Sequence, residues 1–193
     1  MYQDGVSLIL NTLNDDVNIE VMLKSLKDST YDQLIVVDGG SSDKTISIAK
    51  QYSDEVYIVD KGILRQQAEA LTHVKHKHLV ILEADNIYPS AFIENLLSEY
   101  KSSNYFALHA TVVPIYDHSF FEKGMKLFFE IHNYSQGGGE SLGGVGIWDT
   151  EKYIEIFKQT QKVQGYSSDT ARLEVIKSRE LKVGLGKTIV WQA

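Results

Sequence analysis

Apolar runs, polar turns and helical patterns alternate along the first half of the chain. Val6 to Leu10 is one apolar run, ending in Asn11-Thr12-Leu13-Asn14-Asp15-Asp16. Ile19, Met22, Leu23 and Leu26 follow at three- and four-residue spacings, which predicts an amphipathic helix. Leu34 to Val37 is a second run, rich in β-branched side chains and without polar interruption, and it reads as a buried strand. Gly39 and Gly40 end it, and Ser41, Ser42 and Asp43 are suited to cap a helix over Thr45 to Tyr52. A third strand fits Val56 to Val59 and a fourth fits His78 to Leu82, bracketing a helix from about Ile63 to Val74. This alternation predicts an α/β fold with a mainly parallel sheet covered by helices on both faces.

The pattern changes after about residue 115. There follow an aromatic helical segment (Phe120 to Tyr134), a glycine-rich loop (Gly137 to Gly144) and two further helical patterns. The stripe Phe120, Phe121, Met125, Phe128, Phe129 and Ile131 is wide enough for a core face, with part of it open to serve as an apolar acceptor platform or subunit contact. The loop lacks the lysine-serine ending of a phosphate-gripping loop, so it reads as a flexible connection, with a mobile lid as the functional alternative.

Composition narrows the class. A chain of 193 residues with 43% apolar content predicts one soluble domain, residues 1–193, with no stretch approaching a transmembrane segment. Residues 1–115 would form one half and 116–193 the other. No basic and apolar leader opens the chain, and cysteine is absent, which excludes disulfides, thiolate metal sites and cysteine nucleophiles. The net charge of −7 argues against nucleic acid as a partner.

Carboxylates carry the candidate chemistry. Asp38 falls at the carboxyl end of a predicted strand, in the crevice where open α/β sheets bind ligands. The fourth strand ends in Glu83-Ala84-Asp85, and alternation points both acids the same way. Such a pair suits Mg²⁺ or Mn²⁺, which combine one or two carboxylates with waters and substrate phosphates. A solvated acidic turn before Pro89 is the plain alternative; the position after a fourth strand, downstream of Asp38, decides against it. His73, His76 and His78 are interspersed with Lys75 and Lys77, which would repel a cation, so this segment reads as a solvated connection. His109 and His132 read as packed or interfacial residues. A dinucleotide oxidoreductase would need G-x-G-x-x-G after the first strand, and a nucleotidyltransferase a basic, glycine-rich loop there; Asn11 to Asp16 is neither.

In combination and order these motifs resemble family 2 glycosyltransferases, which have the nucleotide-sugar-binding GT-A (Rossmann-like) fold. Asn11-Thr12-Leu13-Asn14-Asp15 resembles the family's opening turn, and Val37-Asp38-Gly39-Gly40-Ser41-Ser42-Asp43 its aspartate-glycine-serine turn. Arg65-Gln66 matches its arginine-bearing helix and Glu83-Ala84-Asp85 its metal motif. Tyr166-Ser167-Ser168-Asp169-Thr170 occupies the place of the late acidic pair, and Gly146-Ile147-Trp148-Asp149 resembles the acceptor-side strand and helix start. The processive family members' glutamine-x-x-arginine-tryptophan motif is absent, and no membrane-anchoring tail is expected after Trp191. This compact form is similar to small stand-alone members, including those of viruses of thermophilic archaea.

The resemblance implies a metal-dependent, inverting transfer of a sugar from a nucleotide diphosphate sugar to an acceptor hydroxyl. Asn11, Leu13 and Asp15 would line the base pocket, with Asp38 on the base or ribose, in the turn that Gly40 shapes. Arg65 would meet the base or a diphosphate oxygen. Asp85 would be the principal ligand of Mn²⁺ or Mg²⁺, with Glu83 reaching the ribose or metal-bound water across Ala84. Asp169 would be the catalytic base, its plain alternative being a helix cap shared with Ser167 or Ser168. Some GT-A enzymes recruit a late histidine to the metal, which keeps His109 and His132 in view. The acceptor is open between a glycan, a protein and a lipid-linked sugar, and homo-oligomerisation is open as well. A cytoplasmic location is expected, in the host if the chain is viral, with peripheral membrane contact open. Gly39 and Ser168 each stand where the family carries an acid, which favours the rival reading of a nucleotide-sugar-binding or structural protein without turnover.

Overall fold

The structure is a computed structural model that describes residues 2–115, 124, 127–128, 130–131, 133–134, 144–161 and 166–192, the side chains of 166–169 excepted. β1 (Gln3–Thr12) runs parallel to β2 (Gln33–Asp38) on one side and to β4 (His76–Leu82) on the other, and β3 (Glu55–Ile58) pairs parallel with the outer edge of β2. Beyond β4 the same sheet continues with strands of mixed direction. β7 (Gly146–Asp149) lies antiparallel between β4 and β6 (Ala107–Pro114), while β8 (Val183–Gln192) runs parallel to β6 and antiparallel to the two-residue β5 (Asn86–Ile87). The eight-stranded order is β3-β2-β1-β4-β7-β6-β8-β5.

Two helical layers cover the sheet because its central strands are apolar on both faces; every residue of β2 is buried. On one face α1 (Ile19–Ser25), α2 (Thr45–Ala49) and α4 (Phe92–Ser102) pack on Leu8, Leu10, Val36 and Val80 through Ile19, Met22, Ile48, Phe92, Ile93 and Leu96. On the other, α3 (Ile63–His73), α5 (Thr150–Thr160) and α6 (Tyr166–Ser178) bury Ile9, Ile35, Val37 and Leu79 beneath Ala70, Leu71, Tyr153, Phe157 and Ile176. The alternation of Leu8, Ile9 and Leu10 between the two cores is the two-residue strand period read directly from β1.

Several expectations need correction. α2 is shorter than Thr45 to Tyr52: beyond Ala49 the chain tightens, with Gln51 N bonding Ile48 O and Tyr52 N bonding Ala49 O. Lys44 occupies its N-cap position, although Asp43 Oδ1 does accept the Thr45 N–H at 2.9 Å. The histidine segment is not a solvated connection, because β4 already begins at His76. His76 is buried against Ser7, its Nδ1 3.0 Å from Ser7 Oγ, and His73 stacks on Tyr57 with ring centres 3.8 Å apart. His78 meets the edge of Tyr100. Packing between helix and sheet, not hydration, therefore places each ring. In the aromatic stripe, Phe128 and Ile131 are exposed rather than core; Phe120, Phe121, Met125 and Phe129 lie outside the described residues.

Candidate active site

The carboxyl ends of β1, β2 and β4 lie side by side, so the loops that follow them share one edge of the sheet. Thr12 is the register partner of Asp38, and Leu10 of Leu82. A polar clamp fixes this edge. Gln66 of α3 is buried and donates through Nε2 to Thr12 O at 2.9 Å and Val37 O at 3.0 Å, tying the two strand ends together. Beside it, Gln67 Oε1 accepts from Asn11 Nδ2 at 2.8 Å, while Asn11 Oδ1 and Gln67 Nε2 are buried and have no partner among the described residues.

The loop after β1 is stapled to the loop after β2. Asn14 N donates to Ser41 Oγ at 2.8 Å, Ser42 N to Asn14 Oδ1 at 3.0 Å, and Asp15 N to Thr45 Oγ1 at 2.8 Å. Asp15 turns its carboxylate onto its own loop, where Oδ2 accepts from Thr12 Oγ1 and Leu13 N. Leu13 itself is 39% exposed at the rim. Asp38 is fully buried, and its carboxylate accepts Gly40 N at 2.8 Å, Ser41 N at 2.6 Å and Ser41 Oγ at 2.6 Å. Gly40 has φ +86°, the left-handed region that a side chain resists, and this lets the turn fold back over Asp38. The geometry thus makes Asp38 the staple of its turn and puts no oxygen of it at the surface.

Arg65 stands exposed in the first turn of α3, 3.3 Å from Asp60. With Lys61, Gly62, Ile63, Leu64, Ala68 and Gln161 it lines a cavity of about 460 Å³. Gln161 follows α5 directly, so the segment leading toward Asp169 starts at this cavity. Asp169 is the fourth residue of α6; the helix begins at Tyr166, which puts Asp169 inside the helix rather than at its cap. Its side chain lies outside the described residues, as does His132. His109 is fully buried in β6, edge-on to Trp148 at 5.2 Å, as a packed residue.

Glu83, Ala84 and Asp85 form the turn after β4. Ala84 packs against the core, and Asp85 is exposed. Tyr88, buried beneath the turn, holds it by accepting from Glu83 N at 3.0 Å and donating to Glu83 O at 3.1 Å. Burial first, and Asp85 second, push the Glu83 carboxyl above its usual range; hydrogen bonds from Asn86 and the Gly144 backbone oppose them. Asn86 Oδ1 is buried and has no hydrogen-bond partner among the described residues. Two carboxylates whose mutual repulsion a cation would relieve, beside an unsatisfied amide oxygen, fit a hard divalent ion. Among the described residues no three His, Cys, Asp or Glu converge, so such an ion would draw further ligands from substrate phosphates and water.

Sequence reasoning missed the positioning roles of Gln66 and Gln67. Their signal was present: two amides on the same helix face as Ala70 and Leu71 require hydrogen-bond partners when that face is buried. Gln192, which reaches Asp85 from the far end of the chain, had no local signal.

The chain resembles glucosyl-3-phosphoglycerate synthase from Mycobacterium tuberculosis, solved with Mg²⁺ and UDP: 17% identity and a TM-score of 0.68 over 98% of this chain and 70% of that one. The same enzyme solved with Mn²⁺ and UDP-glucose matches at 17% and 0.68, covering 98% and 71%. A further structure of it matches at 18% and 0.68, covering 98% and 72%. At such identity the likeness establishes the fold, a GT-A sheet flanked by helices. No curated protein matches. No helix among the described residues is long and apolar enough to cross a membrane. The sequence profile of glycosyl transferase family 2 matches residues 7–170, from the first strand into the helix that bears Asp169, and the chain belongs to that family.

Proposed function

We propose that this glycosyltransferase moves a sugar, with inversion, from a nucleotide diphosphate sugar to an acceptor hydroxyl, using Mn²⁺ or Mg²⁺. The observation that carries the reading is the Glu83-Ala84-Asp85 turn at the end of β4, on the sheet edge shared with β1 and β2. Glu83 and Asp85 would hold the ion, which when bound neutralises the departing diphosphate. Arg65 and Lys61, lining the cavity at the start of α3, would supply positive charge for the phosphates. Asn11, Leu13 and the loop around Asp15 and Gly40 would form the wall for the base, with Asp38 shaping that wall through its turn rather than touching the ligand. Asp169 would take the acceptor proton as the hydroxyl oxygen attacks the anomeric carbon and the nucleoside diphosphate leaves from the opposite side. Such base assistance typically contributes about 10²- to 10⁴-fold. The Mn²⁺ and UDP-glucose bound by the M. tuberculosis enzyme support this metal and donor class.

Calorimetric titration of a panel of nucleotide diphosphate sugars, with Mn²⁺ and then with chelator, tests the reading. Binding of one donor that requires Mn²⁺ and disappears in Asp85→Ala is the expected result. Asp169→Ala should bind that donor and fail to transfer. Gly39 and Ser168, where the family carries acids, favour a second reading: a protein that binds the donor without turnover. Donor binding with neither transfer nor hydrolysis across a broad acceptor panel would select it.

A further inference from the structure

Two side chains that belong to no motif of the sequence hold the Glu83-Ala84-Asp85 turn. Asn86 opens β5 and Gln192 closes β8, and the two are register partners in this antiparallel pair. Directly opposed residues present their side chains on one face of such a pair. Asn86 Nδ2 donates to Glu83 Oε2 at 3.0 Å, and Gln192 Nε2 donates to Asp85 Oδ2. Neither residue is free to drift. Asn86 is 1% exposed, and Gln192 is fixed by β5 on one side and by Pro114 of β6 on the other, its carbonyl accepting Ile115 N at 3.1 Å.

Resting on the metal-dependent reading above, we propose that Asn86 and Gln192 form a cross-strand carboxamide clamp that positions Glu83 and Asp85 for a divalent cation. Donor chemistry carries the argument. Two carboxylates one residue apart repel each other and need anchors to converge on one ion. Lysine or arginine would anchor them, but would put a positive charge where the cation must sit. A carboxamide anchors through N–H and adds no charge. Gln192 engages Oδ2 of Asp85, and among the described residues no hydrogen bond is made to its Oδ1. Hydrogen bonds that orient ligands in this way typically change metal affinity about 10- to 100-fold.

The test is Mn²⁺ titration of metal-free protein followed by electron paramagnetic resonance, with and without UDP, on wild type, Gln192→Met and Gln192→Ala. Methionine keeps the length of the side chain within β8 but donates no hydrogen bond. Both variants should bind Mn²⁺ about 10-fold more weakly while melting at the wild-type temperature. In transfer assays the apparent KM for Mn²⁺ should rise, with kcat restored at saturating metal. Gln192→Met that binds Mn²⁺ as tightly as wild type overturns the clamp and leaves the metal-dependent reading standing. Wild-type protein that takes up no Mn²⁺ in either condition overturns both.

Discussion

The stapled loops after β1 and β2 and the turn after β4 share one sheet edge, yet use carboxylates in opposite ways. In the loops, Asp15, Asp38 and Asp43 accept hydrogen bonds from nearby backbone N–H groups and hydroxyls. The hydrogen bond from Thr45 holds the Asp43 carboxyl below its ordinary range. In the turn, Glu83 is partly buried beside a like charge, and desolvation first and Asp85 second push its carboxyl up. A carboxylate satisfied by its own loop shapes that loop. One left in excess negative potential is poised for a cation. Residue type alone does not separate the two; desolvation beside a like charge, which the hydrogen bonds from Asn86 and Gly144 do not offset, does.

The contrast can be broken most sharply at Asp85. Asp85→Ala should abolish metal-dependent donor binding and lower transfer by more than about 100-fold, while its exposed position keeps the stability change within about 0.5 kcal/mol. Donor calorimetry and a thermal melt on one sample read both halves of this expectation. Asp38→Ala should do the reverse. Removing a buried acceptor of three hydrogen bonds should cost about 3 kcal/mol in denaturant unfolding, with donor affinity falling only as the turn loosens. Gln66→Ala, which strips both Thr12 O and Val37 O of a donor, should cost about 1–3 kcal/mol by the same measurement.

Acidification sharpens the comparison. The folded chain holds the Glu83 proton at higher pH than the unfolded chain does, so between those two values the folded state binds more protons. Metal-free stability from this group therefore falls as pH rises through the folded value and is fully present below the unfolded one. Mn²⁺ affinity should fall as pH drops through the same window, because the ion must displace that proton. Melts with Mn²⁺ and with chelator should converge as pH drops from neutral toward the ordinary glutamate value of about 4.3. The smallest effect is expected at Arg65: its exposed pair with Asp60 contributes about 0–1 kcal/mol, so Arg65→Ala should leave the melt unchanged and weaken donor binding about 10-fold.

The parallel half of the fold was legible because each element carries its own period. Leu8 and Ile9 alternate between cores, and Ile19, Met22, Leu23 and Leu26 recur on one helix face. β5, β6 and β8 were not legible: the two residues of β5 cannot declare a period, and β8 is interrupted by Gly184 and Gly186 with exposed positions beyond them. At the site, the E-x-D turn stood out as a local pattern. The inward turn of Asp38 did not, since a carboxylate on its own backbone and one facing a ligand have the same sequence. Gln66 lay in between, visible as a polar residue on a buried stripe but with partners known only once β1 and β2 were placed.

The pairing of β5 with β8 also imposes an order in time. Asp85 and Gln192 are 107 residues apart, and Ile87 has Trp191 as its strand partner. Translation runs from the amino terminus, so β1, β2 and β4 leave the ribosome with their loops while the acidic turn still lacks its neighbouring strand. A nascent chain can close the stapled loops after β1 and β2 long before Gln192 reaches Asp85. If Gln192 anchors Asp85 as proposed, tight binding of a cation waits for β8, and a chain that stalls before β8 carries the stapled loops without that anchor.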